Sequence, residues 1–221
     1  MAVHLEGGCF VTDMTEPSPV VNGTLTRRNI IGPQNGAQAI SLSILEFAKG
    51  SSPFLSAPGS DHILYRLETN ETADPDCKLF IDSWAYAVGP QTGVYVARGQ
   101  TMRVDNDQSK PVIFISSRSP DSELTIVDQF TEPSDPRSRP SSPTIRLADR
   151  EAIPTADRWY RVLVDEDIGS MQATQFVGSI PPGRAPPARR RSCHRAAFGA
   201  QALDRRTNPE PPSACGQGYT A

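Results

Sequence analysis

The chain has 221 residues, 37% hydrophobic and 21% charged, with 21 prolines and 16 glycines, which is enough for one large domain or one domain and a half. A formal net charge of −3 excludes a whole-chain electrostatic field for nucleic acid, and no apolar run approaches the roughly 18 residues of a membrane-spanning helix. The charge is uneven: residues 188–221 hold six arginines against Asp204 and Glu210, which leaves about −7 on the remainder.

The N-terminal stretch MAVHLEGGCFVTD lacks the basic start and apolar core of a secretory leader. Residues 1–19 read as an N-terminal arm. The four cysteines, Cys9, Cys77, Cys193 and Cys215, form no C-x-x-C pair, and the expectation is a reduced, cytoplasmic protein with free thiols. Short β-rich runs then follow: AISLSILEFA (39–48), HILYRLET (62–69), KLFIDSWAYAV (78–88), GVYVAR (93–98), TMRVDN (101–106), PVIFISSR (111–118) and LTIVDQF (124–130). Glycine, proline, asparagine or aspartate separates most of them, which predicts an all-β chain with an antiparallel barrel or jelly roll over 20–130. In SLSILEF, Leu42, Ile44 and Glu46 share one face against Ser43, Leu45 and Phe47. Both faces are partly apolar, as in a closed barrel packed on both sides. QNG at 34–36 reads as a hairpin loop. Cys77 reads as a buried small residue, and Trp84 with Tyr86 as core packing on one strand face.

Residues 131–157 begin with the proline- and serine-rich TEPSDPRSRPSSP and read as a linker. Beyond it the chain repeats itself. Shifted by 133 positions, RNIIGPQNGAQAISLSILEFAKGSSP (28–53) lies on RVLVDEDIGSMQATQFVGSIPPGRAP (161–186) without a gap. Gly36 meets Gly169, Gly50 meets Gly183 and Pro53 meets Pro186, so turn residues punctuate both copies at the same places. Residues 158–187 thus read as the start of a second barrel. The pattern stops there. Residues 188–221 form a basic, alanine-, arginine- and proline-rich tail without strand alternation, expected to be disordered or the product of a frame slip near residue 188, and to lack regular strand pairing.

The motifs resemble those of the cupin superfamily, specifically two-cupin proteins. One motif is G-x(5)-P-x-G-x(2)-H-x(3)-N, and ARGQTMRVDN (97–106) fits its latter part, with Gly99 as turn glycine and Asn106 closing it. Ala97 replaces the proline and Met102 the histidine. The other motif is G-x(5)-H-x-H-x(3,4)-E-x(6)-G. Counted from Gly50, its histidine pair falls on Leu55 and Ala57, or on Ser56 and Pro58. Its acidic position falls on Asp61 or on His62 and Ile63. In the second copy the pair falls on Ala188 and Arg190, or on Arg189 and Arg191. The motif turn glycines are Gly50, Gly93, Gly99 and Gly183.

The resemblance implies a divalent metal (Fe, Mn, Zn or Ni) in intact relatives, held by imidazoles and a carboxylate. No cofactor is expected in this chain, because the ligand positions carry carbon or a thioether. His62, the one histidine near the predicted mouth, reads as a surface or strand-start residue. What remains is a small pocket lined by Tyr65, Tyr86, Tyr95, Met102 and Asn106, with Met102 filling the metal position. Two functions fit: a non-catalytic barrel that binds a small molecule or serves dimerisation, or a metal-dependent dioxygenase, isomerase or hydrolase, or a damaged copy of one. An incomplete second barrel exposes sheet edges, so a homo-oligomer is expected. Neither a nucleic acid nor a membrane is an expected partner.

Overall fold

The structure, a computed structural model, describes residues 3–4, 10–68, 76–130, 142–156, 158–179, 181 and 196–202. The strands in chain order are β1 (Val3–His4), β2 (Phe10–Val11), β3 (Val20–Asn22), β4 (Leu25–Ile31), β5 (Ser41–Phe47), β6 (Gly50–Ser51), β7 (Phe54–Ser56), β8 (Asp61–Arg66), β9 (Cys77–Ile81), β10 (Trp84–Val88), β11 (Thr92–Val96), β12 (Thr101–Asn106), β13 (Val112–Ser119) and β14 (Thr125–Val127). Five more follow: β15 (Thr144–Arg146), β16 (Ile153–Thr155), β17 (Arg158–Val164), β18 (Ala173–Ser179) and β19 (Ala196–Ala202). The only helical elements among the described residues are single 3-10 turns, and none is long and apolar enough to cross a membrane.

Two antiparallel sheets face each other. One runs β15-β11-β8-β13-β5-β4-β3, the other β10-β9-β12-β7-β14 with β6 added on β12. Alternation explains the packing. On β5, Leu45 and Phe47 point between the sheets, while Leu42 and Ile44 point out of the barrel. The interior is filled by Leu25, Leu45, Phe47, Leu55, Leu64, Leu79, Ile81, Val104, Phe114 and their neighbours. The outer face of the seven-stranded sheet is equally apolar because the second repeat covers it, around Ile30, Ile44, Ile63, Tyr65, Ile115, Leu163, Val164 and Val177.

The repeat is structural. Adding 133 to β3 and β4 gives β16 and β17 residue for residue, and adding it to the 3-10 turn at Pro33–Asn35 gives the one at Glu166–Ile168. The left-handed glycine after each turn is Gly36 (φ 83°) and Gly169 (φ 103°). The register breaks between Asn29 and Ile31 in one copy and between Val162 and Val164 in the other, the same place in both. A β-bulge adds twist and bends its strand, so both copies leave the hairpin along the same curve.

Three expectations need correction. KLFIDSWAYAV is two strands, because Asp82 adopts φ 50° and turns the chain between β9 and β10. Its carboxylate accepts from Thr101 N (2.9 Å) and Gln100 Nε2 (3.0 Å), which holds the turn against the next corner. The linker expected over 131–157 is ordered in its second half: β15 pairs with β11 of the first barrel, and β16 already belongs to the second repeat. Residues 131–141 lie outside the described residues. Finally, part of the tail does pair. β19 runs antiparallel to β18 from Ala196↔Ser179 to Ala202↔Ala173, occupying the place beside β18 that β13 holds beside β5. An edge strand with unsatisfied N–H and C=O groups accepts any extended segment free of proline, and AAFGAQA is one. The junction at residue 188 and the remainder of the tail lie outside the described residues.

Candidate functional site

The motif corner is built as its spacing requires. Gly99 sits at φ 82°, where a side chain would be strained. Gln100 N donates to Ala97 O (3.0 Å), and the Gln100 side-chain oxygen accepts from Ala97 N (2.8 Å). The corner joins β11 of one sheet to β12 of the other, so it is a crossover at the barrel end and not a hairpin.

On β12, Met102 and Asn106 share the inward parity, but they do different things. Asn106 is fully buried and ties the next turn together: its Nδ2 donates to Phe47 O (3.0 Å) and Lys110 O (2.8 Å), and its Oδ1 accepts from Gln108 N (2.9 Å). Met102 is 0% exposed and stands directly across from Leu55 on β7 and Ile81 on β9. Leu55 and Ala57, one of the two registers for the first motif's histidine pair, belong to the same buried cluster; the other register is Ser56 and Pro58. The space a metal would occupy is therefore packed with hydrocarbon and one thioether. A donor set of this kind does not fit a hard or borderline divalent ion, which takes imidazole and carboxylate. Among the described residues no three histidine, cysteine, aspartate or glutamate side chains converge.

The pocket expected from Tyr65, Tyr86, Tyr95, Met102 and Asn106 does not assemble. Tyr86 is inside the barrel with Met102. Tyr65 and Tyr95 point the other way, into the layer between the barrel and the second repeat. There Tyr95 donates to the Asp61 carboxylate, and burial followed by that charge pushes its pKa up to about 12. Burial followed by Glu68 does the same to Tyr65, also to about 12. Asp61 accepts from Met171 N (2.9 Å) and Gln172 N (3.1 Å), so this edge of the barrel anchors the second repeat.

Of the motif glycines, Gly99 is a turn residue, and Gly50 opens β6 at φ 114°. Gly93 is not a turn residue. It lies in β11 facing outward, where an added Cβ would meet Leu163 Cβ at 2.9 Å and Gln175 Oε1 at 2.8 Å. It is glycine so that the second repeat can approach the sheet. Gly183 lies outside the described residues.

His62 lies at the start of β8, as expected, but not at the surface. It is 1% exposed on the inward face of β8, where its Nε2 and Ser116 Oγ share a 2.8 Å hydrogen bond. Burial first and the charge of Arg118 second lower its pKa to about 3, so it is neutral. It belongs to a polar wall that sequence reading missed: Ser41, Ser43, His62, Ser116 and Arg118, all buried on three adjacent strands. The signal was present in the alternation of PVIFISSR, where inward Val112 and Phe114 give way to Ser116 and Arg118. Arg118 Nε donates to Ser122 O (2.9 Å), and Arg27 Nη1 donates to Leu124 O (2.9 Å), so two guanidinium groups hold one segment across the barrel end. Beside that segment opens a cleft of about 330 Å³, lined by Asn22, Leu25, Arg27, Leu55, Leu124 and Thr125 among others.

No protein-family model matches the chain, and no curated protein matches it. Solved structures do. Bacillus subtilis oxalate decarboxylase is similar at 10% identity and a TM-score of 0.61, over 78% of this chain and 57% of that chain. An oxalate decarboxylase described for a structural element that modulates proton-coupled electron transfer reaches a TM-score of 0.62 at 10% identity, over 78% and 58%. Another, described for its substrate binding mode and a reaction specificity switch, gives 0.61 at 9% identity over the same shares. The chain thus spans less than three fifths of these proteins. At such identity the likeness shows the fold alone, and that fold is the cupin-type jelly roll.

Proposed function

We propose that this chain is a two-cupin protein whose first barrel is non-catalytic: it carries the second repeat on its outer wall and binds a small molecule at its open end. The observation that carries the reading is the mutual packing of Leu55, Ala57 and Met102, each at most 4% exposed, where a cupin metal site would stand. A barrel that keeps the motif corner, the closing asparagine and the strand order while filling the ligand positions with hydrocarbon retains the motif for its fold. The outer wall supports the structural half of the role. Gly93, Asp61 and Tyr95 are each fitted to the second repeat and not to solvent. Self-association through the incomplete second barrel belongs to the same reading. Its face away from the first barrel carries Tyr160 and Phe176, edge to face at 6.0 Å.

The test is metal content. The purified chain, incubated with Fe(II), Mn(II), Ni(II) or Zn(II) in turn and then desalted, should retain far less than one equivalent of each. One tightly held equivalent per chain overturns the non-catalytic reading.

A further inference from the structure

The structure assigns a small-oxyanion site to the open end of the first barrel, held by Arg118 and Arg27 with the Ser41 hydroxyl beside them; this rests on reading the barrel as a non-catalytic ligand-binding module. Arg118 is 5% exposed, flanked on the sheet by Ser41 and His62 as Cα partners. Its Nη1 is buried and hydrogen-bonds to nothing, as are Arg27 Nε and Ser41 Oγ. The carbonyls that Arg118 and Arg27 do hold, Ser122 O and Leu124 O, are two residues apart, hence within about 7 Å of each other. The charge of Arg27 also acts on Arg118, so the two guanidinium groups are neighbours at one edge of the interior.

Backbone carbonyls take up two of their donors and cancel none of their charge. Asp121 lies near Arg118 and exposed Glu123 rims the cleft, but among the described residues neither arginine forms an ion pair. Neutral His62 offers no countercharge. Burying a cation with spare donors is costly unless an anion or acceptor joins it, and the oxygen pair of a carboxylate or a phosphate matches the guanidinium fork. The cleft lined by Arg27 gives space beside that residue, about 330 Å³, at the lower end of small-ligand pockets; Arg118 and Ser41 are not in its lining. Its other walls mix apolar Leu25, Leu55, Leu124 and Ile126 with polar Asn22, Thr125 and Glu123, which suits a small, polar ligand. Both arginines lie outside the two cupin motifs, while Leu55 of the first motif lines the same cleft, so the site adjoins the filled metal position.

The probes are sodium phosphate, sodium malonate and sodium chloride at equal ionic strength, followed by calorimetry and thermal melting of the full chain. Phosphate or malonate should bind saturably and raise Tm where chloride does not; which of the two is stronger separates a phosphoryl from a carboxylate source. Arg118→Met should weaken that binding about tenfold or more, with the fold intact by circular dichroism. Arg27→Gln, at a half-buried position, should weaken binding with the fold intact by circular dichroism. No saturable binding of either oxyanion by the wild type overturns the site, as does unchanged affinity in both variants. The two readings separate cleanly. A chain that holds one metal and still binds oxyanion refutes the non-catalytic barrel and keeps this site; a metal-free chain that binds neither oxyanion does the reverse.

Discussion

Acid should weaken the first barrel through His62, by an amount set by where the side chain sits. It is buried at 1% exposure against Ser116, and its pKa falls from 6.5 to about 3. The unfolded chain takes up the proton near pH 6.5, and the folded chain does not until about pH 3. Between these limits the unfolded state binds more protons, so stability drops as pH drops. Three and a half units at about 1.4 kcal/mol each give at most about 5 kcal/mol, fully lost by about pH 3. That is a large part of the ~5–15 kcal/mol typical of a whole domain. Carboxylates titrate in the same window, so the informative quantity is a difference. Wild type and His62→Asn are unfolded in urea at pH 7, 6, 5 and 4, with Trp84 and Trp159 as fluorescence probes. Below about pH 6 the wild type should lose about 1.4 kcal/mol more per pH unit than the variant. Parallel pH profiles would refute the reasoning, because they would mean that the folded barrel accepts the proton on His62 as readily as the unfolded chain does.

Met102→His should cost about 2–4 kcal/mol, since it places a polar ring among Leu55, Ala57 and Ile81, and should recruit no stoichiometric Fe, Mn or Ni; a loss below ~1.5 kcal/mol together with one bound metal would show that a ligand-sized space exists there. Gly93→Val should cost about 1–3 kcal/mol by overpacking against Leu163 and Gln175, and hydrogen exchange should quicken in β17 and β18 before it does in β12. Unchanged exchange in β17 and β18 between wild type and Gly93→Val would mean that the second repeat does not dock on β11. Gly99→Ala should cost about 1 kcal/mol from its left-handed backbone alone, because no atom stands within 4 Å of the added carbon; urea titration gives the number.

The repeat was legible in sequence because its marks are backbone demands. Gly36 and Gly169 sit where the turn needs positive φ, and β-branched or leucine residues flank them at matching positions. The direction of side chains was less legible. HILYRLET alternates, but its more apolar face, Ile63, Tyr65 and Leu67, points out of the barrel toward the second repeat, while His62, Leu64 and Arg66 point in, so Tyr65 was placed inside when it points outward. Hydrophobic neighbours hid His62 in the same way. Gly93 looked like a turn residue because glycine in a sequence announces a turn far more often than a close approach, and only the second repeat's position explains it. The end of β9 was missed because Asp82 supplies its turn by adopting a left-handed conformation in the middle of an apolar run.

β15 has a consequence for how the chain can be divided. The segment that follows residues 131–141 does not go straight to the second repeat. It first lies down beside β11, pairing Thr92, Gly93 and Val94 with Arg146, Ile145 and Thr144, and Ile145 and Leu147 enter the layer that the second repeat shares. The covalent boundary and the spatial boundary are therefore different. A single cut engineered between residues 131 and 141 separates the polypeptide in two without separating the particle. The C-terminal fragment keeps a strand in the first barrel's sheet and its apolar side against the barrel wall, so the halves should elute together from a sizing column until denaturant is added. Expressed apart, each would present an incomplete sheet and an uncovered apolar layer. The useful unit for any dissection of this protein thus runs through β15 and the second repeat, whatever the linker's composition suggests.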